Sequence, residues 1–213
     1  MPDELRFAFH RELEEIDRQV RQLFALVSEG LAGATDALLA GDREAAKRLM
    51  ARDAKIDTLF ADVEDLVERQ LALQSPMAVD LRFLLSVLRI VPELERSGDL
   101  AEHIAQRAAR GLTSELTPPI RGLIEEMGRV GVELWRGAAD AYTNRDGAAE
   151  AHLRERDDEL DDLHVSLTAE LAGGGLRLPF AIEMALVGRF YERLGDHAVN
   201  IAARVRYLAT GVQ

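Results

Sequence analysis

Glu95-Arg96-Ser97-Gly98-Asp99 returns 97 residues later as Glu192-Arg193-Leu194-Gly195-Asp196. In each block, residues i and i+4 are acidic, and on a helix such residues share one face. Each block therefore reads as a helical turn aiming two carboxylates the same way. The repetition extends outward from there. Ile104 returns as Ile201. Asp42, Leu49, Arg52-Asp53 and Asp57 return as Asp146, Leu153, Arg156-Asp157 and Asp161, here at a spacing of 104. Conserved order and register over these positions mark an internal duplication, with a shorter stretch between the two groups of positions in the second copy.

Around these blocks, apolar residues recur at three- and four-residue spacing. In the first segment they are Leu5, Phe9, Leu13, Ile16, Val20, Leu23, Val27 and Leu31. Around the first block they are Leu81, Leu84, Leu85, Leu88, Val91, Leu94 and Ile104. That period is helical, and alternation of strand type is missing. Breaker signals fall at Gly41-Asp42, Gln74-Ser75-Pro76, Gly111–Pro119, Asn144-Arg145-Asp146-Gly147 and Gly173–Pro179. They cut the chain into six segments of about 25–38 residues, roughly 40–55 Å of helix each. The expected fold is all-α: two tandem, duplicated three-helix bundles. The first spans 1–111 and the second 120–213, with a linker over 112–119 that contains Thr117-Pro118-Pro119.

Composition agrees and excludes several classes of function. The 213 residues are 47% hydrophobic and 30% charged, enough for a sizeable core. Cysteine is absent, so disulfides, thiolate zinc sites and cysteine nucleophiles are excluded. The net charge of −12 argues against nucleic acid as a partner. Met1–Arg11 carries charges throughout and does not read as a secretory signal. The longest apolar candidate, Phe83–Val91, holds Ser86 and Arg89, so no membrane span is expected.

Acid pairs alone decide nothing. With 38 acids, chance gives about seven pairs at four-residue spacing, and the chain has eight. Hairpin geometry adds what frequency does not. If the chain turns at Ser75-Pro76, residues level with one another have numbers summing to about 151. Asp53 and Asp99, and Asp57 and Glu95, both meet that condition. In the second half, Asp157 with Asp196 and Asp161 with Glu192 share the sum 353, and the Gly173–Pro179 breaker is centred to match. Each half thus brings four carboxylates to one level. Such a set repels itself at neutral pH unless it is protonated or neutralised. Arg52, Arg96, Arg156 and Arg193 offer partial compensation. A bound cation of hard or borderline character (iron, manganese, magnesium, calcium or zinc) does better. His103 extends the first stripe, although its repeat counterpart is Asn200. His164 follows Asp161 by three, and His197 points off the acid face. Gly98 and Gly195 recur inside helices, where glycine costs about 1 kcal/mol relative to alanine, which points to close helix packing. Pro92 is expected to kink its helix and free a carbonyl.

The two Glu-Arg-x-Gly-Asp blocks, the following His197-Ala198-Val199-Asn200-Ile201 and the segment Leu73-Gln74-Ser75-Pro76-Met77-Ala78-Val79-Asp80-Leu81-Arg82 resemble the signature of the PhoU family of phosphate-transport regulators. The resemblance covers essentially the whole chain. It implies two three-helix bundles side by side, often dimeric. It also implies multinuclear metal clusters, iron or zinc, held by the acid-x-x-x-acid pairs. By motif these are Asp53, Asp57, Glu95 and Asp99, and Asp157, Asp161, Glu192 and Asp196. The implied role is negative regulation of the phosphate-starvation response. The protein would be a cytoplasmic adaptor between a phosphate ABC transporter, through its ATPase subunit, and a sensor histidine kinase, with no catalytic activity. It would meet the membrane only through those partners. The chain departs from the family pattern at Pro92 and Ser97. A rival reading is a di-metal carboxylate enzyme of ferritin type. That fold needs Glu-x-x-His motifs, which are absent around Glu95 and Glu192. A third reading is a helical scaffold without metal.

Overall fold

A computed structural model describes residues 2–212, and side chains from Arg6 onward; Leu5 therefore lies outside the described side chains. Seven α-helices and one 3-10 turn follow in order: α1 (Pro2–Ala40), α2 (Arg43–Met50), α3 (Asp53–Gln74), α4 (Ala78–Ala109), the turn Leu112–Glu115, α5 (Pro118–Asn144), α6 (Ala149–Ala172) and α7 (Leu178–Thr210). No strand occurs among the described residues. The fold is all-α, as the periodicity requires.

Six helices were expected and seven are found, because the second segment breaks at Ala51-Arg52. Asp42 caps α2 by accepting from the Ala45 N–H at 2.8 Å. The helix closes when the Arg52 N–H reaches back only three residues to the Leu49 carbonyl. At the corresponding place in the second half, α6 runs through Arg156 without a break. The other turns follow their residue chemistry. Ser75 and Arg145 end α3 and α5 in the left-handed region. Pro118 and Pro179 sit in the first turns of α5 and α7, where a fixed φ and a missing N–H cost nothing. The expected linker is not slack. Thr113 Oγ1 donates to the Leu38 carbonyl at 2.7 Å, and Arg121 donates to the Leu39 carbonyl at 2.6 Å, tying the segment onto the end of α1.

Helix directions can be read from contacts. Arg52 pairs with Glu29 and Arg69 with Glu12, so α3 runs antiparallel to α1. Asp53 feels the charge of Glu102 while Glu95 feels that of Glu64, so α3 runs antiparallel to α4, with Ile56 against Gly98; Leu160 against Gly195 and Leu167 against Gly188 set α6 antiparallel to α7. The halves share a continuous core. Phe24 of α1 packs on Trp135 and Tyr142 of α5 at 6.3 and 5.3 Å between ring centroids. Thr35 and Tyr191 share a buried 2.7 Å hydrogen bond. The helices α4 and α7 lie antiparallel at the centre, joined by Ser97 to His197 and by Arg110 to Glu183.

Some apolar positions of the sequence pattern face outward. Leu85 is exposed, while Leu84, Val91, Leu94 and Ile104 are fully buried. Contrary to the sequence expectation, Arg6–Ala40 of α1 contains a stretch long and apolar enough by composition to cross a membrane, with mean hydropathy 1.4. In the fold, Leu23, Phe24, Val27, Leu31, Ala34 and Leu38 from that stretch are buried in the core.

Candidate metal centres

Contacts in the α4–α7 pair set its register. Ser97 meets His197, and Arg110 meets Glu183, so facing residues have numbers summing to about 293. Combined with the repeat offset of 97, this places Gly98 level with Gly195. The two acid sets therefore lie at one height on opposite flanks of the central pair, one against α3 and one against α6.

In the first set, Asp53 and Asp57 stand on α3, and Glu95 and Asp99 on α4. Asp53, Glu95 and Asp99 are half-buried, and Asp57 is exposed. Burial pushes the Asp53 carboxyl up to about 6, and the negative charges of Glu102, Asp57, Asp99 and Glu95 push the same way. Glu95 and Asp99 are raised for the same reason, burial first; Asp99 is also crowded by Asp57, although His103 draws it down. In the second set, Asp157 and Asp161 stand on α6, and Glu192 and Asp196 on α7. Asp157 and Glu192 are half-buried, and Asp161 and Asp196 are exposed. Burial pushes Asp157 up to about 7, reinforced by Asp161, Asp196, Asp158 and Glu192. Asp161 and Glu192 are likewise raised by burial. Each set is thus one mutually repelling group of four, as the level-matching required.

Two of the four local arginines are committed elsewhere. Arg52 pairs with Glu29 on α1, and Arg156 with Glu133 on α5 and with Glu159. Among the described residues, only Arg189 pairs with a member of either set, Glu192. Arg96 eases Glu95 by its charge alone.

The donor set suits a cation on two counts. Asp157 Oδ1 and Glu192 Oε2 are buried and have no hydrogen-bond partner in the protein. Buried carboxylate oxygens without a partner are costly, and a cation would satisfy them. Second, a Cβ on Gly195 would run into Asp157 Oδ1, and one on Gly98 would sit 3.5 Å from Asp53 Oδ1 and 2.8 Å from Ile56 Cδ1. The repeated glycines thus leave room beside the innermost carboxylates. No group of three or more acidic or histidine side chains is gathered tightly enough to hold an ion among the described residues. Bare carboxylates of one sign hold each other apart.

One residue of the neighbourhood, Glu102, escaped the sequence reading, and the three histidines named there fall into different roles. Glu102 adds a further charge at Asp53; its repeat counterpart is Val199, so the duplication gave no hint of it. Its spacing of three from Asp99 was the available signal. His164 lies against Gly188, beside Asp161 and Glu192, and lowers both. The His103 ring packs on Phe190, 5.3 Å between centroids. His197 is no ligand. It is buried between α4 and α7, its Nδ1 2.9 Å from Ser97 Oγ, and burial pulls it down to about 4, so the ring is neutral at pH 7. Ser97, a departure from the family pattern, thus has a structural role.

Comparison with known proteins agrees with this architecture. The PhoU domain family model matches the chain twice, over residues 20–108 and 124–205. The phosphate-specific transport system accessory protein PhoU homolog 1 of Mycobacterium leprae is 37% identical over 210 residues, covering 97% of this chain and 95% of that protein. The PhoU homolog 2 of Mycobacterium tuberculosis is also 37% identical over 210 residues, covering 97% and 99%. Among solved structures, PhoU from Pseudomonas aeruginosa superposes with a TM-score of 0.89 at 27% identity, covering 96% of this chain and all of that one. The phosphate transport system regulatory protein PhoU from Streptococcus pneumoniae gives 0.87 at 26% identity, covering 96% and 98%.

Proposed function

The chain belongs to the PhoU family, and from that premise we propose that it is a negative regulator of the phosphate-starvation response. It acts as an adaptor between the ATPase subunit of a phosphate ABC transporter and a sensor histidine kinase. The observation that carries this reading is the match, over nearly the full length of both chains, to accessory proteins of phosphate-specific transport systems. The family is one of accessory and regulatory proteins, and the acid sets contain no nucleophile paired with a base, so we read the protein as a binding module and not an enzyme. Residues 1–111 and 120–213 are then two copies of one unit, joined by 112–119.

Metal ions, iron or zinc in the first place, would be held by Asp53, Asp57, Glu95 and Asp99, and by Asp157, Asp161, Glu192 and Asp196. A cation bound there supplies positive charge that relieves the repulsion within each set. The carboxylates in turn join α3 to α4 and α6 to α7 at one height, fixing the outer surface that partners meet. The protein is cytoplasmic in this reading, a homodimer, and carried to the membrane by its partners. A net charge of −12 is repelled by an anionic lipid surface.

The test is genetic. Deleting the gene should switch on phosphate-starvation genes in phosphate-rich medium. Silence of those genes in a strain without a second copy of the family ends the regulatory reading. A chromosomal Glu95→Ala, Asp99→Ala, Glu192→Ala, Asp196→Ala variant then tests the metal's part. Loss of repression by a folded variant assigns the sites to signalling, and retained repression confines them to stability.

A further inference from the structure

The register of the α4–α7 pair makes two equivalent grooves, one above and one below the Gly98–Gly195 level. They differ in content. In one, Phe190 fills the space, with His103 packed on its ring and the Arg107 guanidinium over it at 4.9 Å. Glu183 then pairs with both Arg107 (3.1 Å) and Arg110 (2.5 Å). That groove is plugged and neutralised.

The repeat offset of 97 gives the other groove residue by residue. Arg204 stands where Arg107 stands, and Arg96 where Arg193 stands. The plug Phe190 becomes Glu93, and the neutralising Glu183 becomes Ser86. Leu186 becomes Arg89. The result is an open cleft of about 540 Å³, with Arg89, Arg96, Arg204 and Arg206 around it and Pro92 and Tyr207 as apolar walls. Among the described residues, Arg89, Arg96 and Arg204 make no salt bridge, while Arg206 pairs with Glu150 at 3.1 Å. Glu93 is the one carboxylate facing the cleft, against four guanidinium groups. Arg96 and Arg204 act on Glu93 by charge, and a single carboxylate leaves the cleft locally cationic in a chain of net charge −12.

We propose that this cleft between α4 and α7 binds a phosphate group, either inorganic phosphate or the phosphate of a small monoester. Guanidinium forks match the oxygens of a tetrahedral oxyanion in geometry and charge. The volume exceeds a bare phosphate and suits a ligand of nucleotide size, with Pro92 and Tyr207 against its body. The site shares α4 with the first acid set, Arg96 following Glu95, but it does not depend on the regulatory reading above.

Isothermal titration calorimetry with inorganic phosphate and with AMP, on wild type and on the Arg96→Gln/Arg204→Gln variant, tests this. Wild type should show saturable binding of at least one probe, and the variant should bind about tenfold or more weakly, since each lost contact is charge-assisted. AMP binding tenfold tighter than phosphate identifies a monoester site; equal or weaker AMP binding identifies free phosphate. Glu93→Phe, which copies the plug of the other groove, should abolish binding. Absence of saturable binding to wild type overturns the proposal, and so does equal binding by the double variant. Binding that survives Arg96→Gln/Arg204→Gln but vanishes with a chelator belongs to metal ions at the acid sets, and equally overturns it. Both arginines line the cleft, and circular dichroism of the variant checks that it is folded.

Discussion

Asp157→Asn isolates the electrostatic cost of an empty acid set. Asp157 is the most perturbed of the eight carboxyls, raised from an ordinary 3.8 to about 7 by burial and then by Asp161, Asp196, Asp158 and Glu192. The folded state holds this proton more tightly than the unfolded state does. Protonation therefore favours folding, and the metal-free fold loses stability as pH rises from about 4 through about 7. The full shift corresponds to roughly 4 kcal/mol at 1.36 kcal/mol per unit. The group is half-exposed, and solvent screening reduces this to about 2 kcal/mol above pH 7 and about 1 kcal/mol at pH 5.5. Asparagine keeps the shape and removes the charge. In chelator-treated protein at pH 8, Asp157→Asn should therefore be more stable than wild type by about 2 kcal/mol, or roughly 4–8 °C in Tm. At pH 5.5 the gain should shrink by half. Adding excess zinc or iron should reverse the order, because wild type gains a ligand that the variant binds poorly. Thermal and urea denaturation at the two pH values, with and without metal, give all four numbers. A metal-free Asp157→Asn that is less stable than wild type at pH 8, or whose advantage ignores pH, refutes the repulsion argument.

Three further outcomes follow from particular contacts. Gly195→Ala should cut metal binding at the second set while leaving the first intact, because the new Cβ occupies the place of Asp157 Oδ1; metal content per chain measures it. Ser97→Leu, which installs the residue found at the repeat position, should destabilise by about 1–3 kcal/mol in urea unfolding, since it leaves the buried His197 Nδ1 without its partner. Trp135→Ala should cost about 3–5 kcal/mol by the same measurement, because this fully buried ring joins α1 to α5 through Phe24.

The fold was legible wherever a pattern recurred. Heptad-like spacing gave the long helices, and the sums 152 and 353 gave the pairing of α3 with α4 and of α6 with α7. The structure realises that pairing through Ile56 on Gly98 and Leu160 on Gly195. What repetition did not carry was not legible. The break between α2 and α3 follows from local backbone hydrogen bonding at Leu49 and Arg52, and no glycine or proline announces it. Glu102 has an apolar counterpart, so comparing the halves hid it. Arg52 and Arg156 sit beside acids in sequence, yet side-chain length carries them to α1 and α5. The bond between Ser97 and His197 crosses from one half to the other, which comparison of each half with its counterpart does not reveal.

The level Gly98–Gly195 pair means that α4 and α7 meet as the halves of a two-fold dimer would. In a true dimer of identical chains, each surface occurs twice, and one substitution alters both copies. Joining the copies in one chain removes that bond. A phenylalanine at 190 fills one groove without filling the other, and a glutamate at 183 neutralises one arginine cluster and spares its twin. Covalent fusion thus lets a symmetric scaffold keep its matched acid sets while its two ends take up different tasks.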